Sequence, residues 1–284
     1  MEKEITVETT DIYNYLYTMC MEKELSREEV KNLLQSCLEF VFQVNQLDIS
    51  NYNIIIHDAK PVNSKKKITR LNAGESKTNG VQIQPYEVCF MVQDEKDLNK
   101  YEIFFNIKDT VYKNTTEAFP STDEFKYLEP DTDFDNFTIF LYYAFHEFSH
   151  VMQYIRNPEE IEIYNDSKMS SYYNTLEYAD TLDKKSREAV RKALKKHMDA
   201  KAINSWFEKN ANAQAYDYLS ILLNAFIETA DDFTFKCYLQ DMLLILRKMR
   251  KQEFKFYRYA NKINKEAVIT LGNYGITEDE LILD

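Results

Sequence analysis

Residues 136–156 read NFTIFLYYAFHEFSHVMQYIR. The stretch holds no proline or glycine and is apolar on nearly every side, which predicts a helix buried in the protein. Into it are set His146, Glu147 and His150, so two of the chain's four histidines lie one helical turn apart. Positions i and i+4 share a helix face, and both imidazoles can point at one ion. With four histidines and 27 glutamates in 284 residues, chance gives H-E-x-x-H on the order of 0.005 times per chain. Buried imidazoles and a buried carboxylate need partners, and a metal ion supplies them. The plainer alternative is a pair of core histidines satisfied by hydrogen bonds.

The spacing has a chemical logic. Zinc in such a site keeps one position for water and brings that water's pKa near neutrality. A glutamate one residue past the first histidine can take the water's proton and deliver it to a leaving amine. His146 and His150 are therefore the expected ligands and Glu147 the expected general base. A third protein ligand is required. The extended form of the motif has Gly and His three and six residues past the second histidine. Here those positions hold Gln153 and Arg156, which leaves a carboxylate from a later helix.

Residues 205–219, SWFEKNANAQAYDYL, offer one. Glu208, Ala211, Asn212 and Ala215 recur at i, i+3, i+4 and i+7, a face made of a carboxylate and small residues that permits close helix approach. Glu177, in NTLEYADTL with Asp180 following, is the rival. His57, ending the apolar run IIIHDA, reads as structural, and His197, among lysines in KALKKHMDA, reads as a surface residue. Asn212 and Gln153 are candidates to orient the ligands. Tyr172, Tyr173, Tyr216 and Tyr218 read as packing residues, and the sequence does not choose an oxyanion donor among 21 tyrosines.

H-E-x-x-H followed by a helix with E-x-x-A-N-x-x-A resembles the gluzincins, the zincin metallopeptidases whose third ligand is glutamate. The thermolysin-like and ImmA/IrrE-type enzymes are relatives in that sense. The resemblance covers about a third of the chain. It implies a zincin fold, a zinc ion and hydrolysis of a peptide or protein substrate, with His146, His150 and Glu208 as ligands and Glu147 as base. The 57 residues between His150 and Glu208 are long for compact members and call for an inserted helix, which LDKKSREAVRKALKKHMDA can supply. In zincins the strand before the motif helix forms the edge of the cleft, a role that falls here to EIFFNIKDTV. A zincin-like binding module without turnover, and a zinc hydrolase of a non-peptide substrate, are the alternatives.

Around the motif, an α+β chain is expected. Hydrophobic residues at 44% indicate a folded protein. Four glycines and five prolines favour long helices. One catalytic unit is expected over 1–284, with an α/β half at 1–135, a helical half at 136–284 and the site in the cleft between them. Helices are predicted at 11–24, 26–47, 136–156, 171–201, 203–228 and 232–265. Ser26 and Glu29 mark a capping box, as do Thr277 and Glu280 near the end. Strands are predicted at 52–59, 86–94 and 100–112, forming a small mixed or antiparallel sheet. Polar segments at 62–80, 113–135 and 156–170 read as loops. A net charge of −12 and pI near 5.0 argue against nucleic-acid and anionic-membrane partners. The basic run 247–258 reads as a solvated helix face. Cys20, Cys37, Cys89 and Cys237 form no C-x-x-C pair and sit in apolar runs. Free thiols without a signal-like start point to the cytoplasm. Nothing in the sequence sets the oligomeric state.

Overall fold

The computed structural model describes residues 7–22, 24–58, 89–94, 96–105, 136–277 and 281. In chain order the elements are α1 (Val7–Glu22), α2 (Arg27–Val44), β1 (Asn53–Asp58), β2 (Cys89–Gln93), β3 (Lys100–Phe105), α3 (Asn136–Arg156), α4 (Pro158–Asp180), α5 (Lys184–Asn204), α6 (Trp206–Thr229) and α7 (Phe233–Gly272). Among the described residues this is a mostly helical chain with one small mixed sheet, an α+β architecture. No helix among the described residues is long and apolar enough to cross a membrane.

The elements form where local chemistry favours them. Ser26 Oγ accepts from Glu29 N at 3.3 Å and the Glu29 carboxylate accepts from Ser26 N at 2.7 Å, closing the capping box of α2. Its buried face carries Val30, Leu33, Leu34, Cys37, Leu38 and Val41. The sheet order is β1-β3-β2, with β1 parallel and β2 antiparallel to β3. Over Lys100–Phe105, β3 is flanked on both sides and offers no edge. The cleft-edge role expected for the segment beginning at Glu102 is therefore corrected within the described residues. Two loop expectations, 62–80 and 113–135, and the capping box at Thr277 and Glu280 lie outside them.

Two helix boundaries also differ. The polar segment 156–170 is not a loop, because α4 starts at Pro158. Proline at the first helical position with Glu159 and Glu160 behind it is a start signal, which outweighs the segment's polarity. The helix expected over 171–201 is divided at 181–183. Asp183 caps α5, its carboxylate accepting from Lys185 N at 3.0 Å and Ser186 N at 3.2 Å.

The chain forms two compact units, Met1–Val151 with Asn212–Arg250 and Met152–Ala211 with Lys251–Asp284. In the first, the inner face of β3 meets α3 through Phe105, whose ring lies 5.9 Å from Phe140 and 6.0 Å from Phe148. Tyr13 of α1 packs edge-on against Phe226 and Phe235. On the outer face of β3, Phe104 stacks between His57 at 4.6 Å and Phe90 at 4.9 Å, and Glu102 pairs with His57 and Lys100. In the second unit, Ala179, Val190, Ala193, Leu194 and Leu271 join α4, α5 and α7 in one apolar cluster. Ala200 packs with Ala260 and Ile263 in another.

Candidate metal centre

α3 brings the motif into the interior. His146 and Glu147 are each 8% exposed and His150 6%. The helix meets α6 antiparallel. Tyr142 Oη donates to Asn212 O at 3.1 Å, and Phe145 packs against Tyr218. Further along, Gln153 Nε2 donates to Phe207 O at 2.8 Å and to Asn210 Oδ1 at 2.9 Å, which ties down the first turn of α6. That turn carries Glu208, whose N–H donates to Ser205 Oγ at 3.2 Å. Ala211 and Ala215 on the same face are fully buried, so no bulky side chain holds the helix away.

The result is a convergent donor set. One ligand atom each from His146, His150 and Glu208 lies within 4.8 Å of the others. The two histidine Nε2 atoms are 2.9 Å apart with the rings at 88°. His146 Nδ1 faces Asn212 Oδ1 at 2.8 Å. An amide oxygen only accepts, so Nδ1 carries the proton and Nε2 keeps its lone pair. A hydrogen bond of this kind to the far nitrogen is the usual support of a metal-bound imidazole.

Does the set fit an ion? Two nitrogens and a carboxylate are the donor chemistry of a catalytic zinc site. Two nitrogens bound to a tetrahedral zinc stand about 3.4 Å apart, so a few tenths of an ångström of side-chain movement opens the pair to an ion. Without an ion, His150 Nε2 donates to His146 Nε2 and the pair is satisfied internally. The geometry fits the metal, and the third donor and the Asn212 contact are features a plain histidine pair does not need.

Glu147 has a neighbour that the sequence reading missed. Cys89 Sγ of β2 lies 3.8 Å from Glu147 Oε1 and 3.5 Å from Tyr143 O. Burial, then the Glu147 charge, pushes this thiol well above its ordinary range. Burial, with Cys89 adding to it, raises Tyr143 as well. No sequence pattern announces this contact, because it depends on the register of a strand against a helix.

No family model, curated protein or solved structure matches this chain. The centre stands on its own geometry.

The other candidates lie elsewhere. Glu177 is exposed and outside the donor set, and Asp180 pairs with Arg191 at 2.6 Å. His57 is held by Glu102 and Phe104. His197, expected on the surface, is 1% exposed, with Nε2 3.3 Å from Leu281 O. It falls on the face of α5 that carries Val190, Ala193, Leu194 and Ala200. That periodicity was a better guide than the flanking lysines. Tyr218 is a core residue whose hydroxyl accepts from Asn45 Nδ2 at 2.7 Å. Tyr173 is exposed, and Tyr216 lies under Arg250 at 5.9 Å. Gln153 bonds to the first turn of α6, whereas Asn212 contacts His146 directly.

Proposed function

We propose that this chain is a zinc-dependent peptidase with a zincin-type centre, in which His146, His150 and Glu208 hold the metal and Glu147 is the general base. One observation carries the reading: the three donors lie within 4.8 Å of one another beside a buried Glu147. When bound, zinc would supply Lewis acidity, acidifying water and polarising a carbonyl.

The chain's own residues do the rest. Asn212 fixes the tautomer of His146. Glu147 takes a proton from the attacking water at its carboxylate and passes it to the departing nitrogen, acting first as base and then as acid. Burial around the motif keeps bulk water away from the proton in transit. A peptide is the substrate class that the sheet favours. Among the described residues β2 pairs only with β3, so its other edge has main-chain groups to offer an extended chain. That strand carries Cys89, the residue against Glu147. Four free thiols are consistent with a reducing, cytoplasmic setting.

One observation favours a second reading. The 2.9 Å contact between the histidine nitrogens is a good hydrogen bond in its own right, as in a module that binds peptide without cutting it. A peptide library analysed by mass spectrometry separates the two. The wild type cleaves, and Glu147→Gln retains zinc while cleaving roughly 100- to 10,000-fold more slowly. Equal cleavage by both proteins removes Glu147 from the chemistry. Peptides retained but uncut by both favour the binding module.

A further inference from the structure

We infer that Cys89 is a positioning residue for Glu147: its thiol, carried on β2, donates to Oε1 and leaves Oε2 for the reacting proton. The inference rests on reading Glu147 as the proton acceptor. Sγ lies 3.8 Å from Oε1, within reach of the long hydrogen bonds that sulfur makes. A thiol has one proton to give, and in this contact Sγ is the donor and Oε1 the acceptor. Burial and the neighbouring charge both keep the thiol protonated.

Two acceptors compete for that proton. Tyr143 O is nearer, at 3.5 Å, but it is neutral and already accepts from the helix's own N–H groups. As the proton acceptor of the proposed reaction Glu147 would be ionised, and charge-assisted bonds are the stronger kind. The placement is built into the core. Cys89 is the register partner of Phe105 on β3, and Phe105 packs against Phe140, ahead of the motif, and Phe148, within it. Strand and helix are thus locked together, and the thiol meets one fixed point on α3. A glutamate side chain has three rotatable bonds. Holding one oxygen keeps the other in a reactive alignment, which is where positioning acts on rate.

The test is infrared spectroscopy of the S–H stretch in the full chain, recorded after zinc supplementation. Cys89→Ser identifies the Cys89 band by its loss. In Glu147→Gln that band moves to higher frequency, because a neutral amide is a weaker acceptor than a carboxylate. Glu147→Ala gives a second, independent shift. A Cys89 band that stays in place in both variants assigns the thiol proton to Tyr143 O and overturns the inference. Zinc content of the same samples reports separately on the metal centre. A shift in a protein that binds no zinc upholds the thiol contact while failing the peptidase reading. An unmoved band in a zinc-loaded protein overturns the thiol contact alone.

Discussion

At the residue scale, Asn212 decides which nitrogen of His146 carries the proton and which keeps a lone pair for the proposed metal. Its Oδ1 lies 2.8 Å from Nδ1. Asn212→Ala removes that acceptor, and zinc affinity falls roughly 10- to 100-fold, as read by competition with a chromogenic chelator. Asn212→Asp keeps an acceptor in place and keeps most of the affinity. Undiminished binding in the alanine variant would mean that the ring is oriented by something else. The same scale shows where the sequence was readable. The convergence of His146, His150 and Glu208 was legible because helical periodicity places residues on faces without knowledge of the fold. His197 was misplaced because neighbouring lysines drew more weight than its i, i+3, i+7 register. Cys89 was out of reach, since nothing in a single strand says which helix residue it will meet.

At the scale of elements, the centre depends on how closely α6 approaches α3. Ala211 is fully buried, so Ala211→Leu forces the helices apart. It should cost about 1–3 kcal/mol in urea unfolding and reduce zinc binding together with stability. Gln153→Ala removes the two hydrogen bonds that tie α3 to the first turn of α6 and should cost about 1–2 kcal/mol. Ser26→Ala is the matched control. It removes the α2 cap, costs about 1 kcal/mol and leaves zinc binding unchanged. A zinc loss in the cap variant equal to that in Ala211→Leu would show that the metal simply follows global stability. Helix existence was legible for α2, α3, α6 and α7 from apolar spacing. The starts of α4 and α5 were not, because Pro158 and Asp183 signal starts inside stretches whose composition suggested a polar connection and a continuous helix.

For the whole molecule, stability is coupled to a carboxyl group remote in sequence from the motif. Burial pushes Glu253 of α7 from its ordinary 4.5 up to about 8. The folded state therefore holds a proton that the unfolded chain releases between those values. Its contribution is fully present below pH 4.5 and is lost as pH rises through about 8. Urea midpoints of wild type and Glu253→Gln should agree near pH 4 and separate near pH 8.5, with the glutamine variant the more stable. Parallel midpoints at both values would contradict a buried, protonated Glu253. At this scale the sequence indicated an α+β class and a small sheet. It did not order the strands, because β3 pairs with both β1 and β2 through contacts that only tertiary packing decides. The central claim remains the donor set, and its most direct test is zinc per chain in wild type beside Glu208→Ala and Glu177→Ala. The three-donor centre predicts about one zinc per wild-type chain, the same in Glu177→Ala, and a clear loss in Glu208→Ala. Equal zinc in the wild type and Glu208→Ala, or none in either, would contradict it.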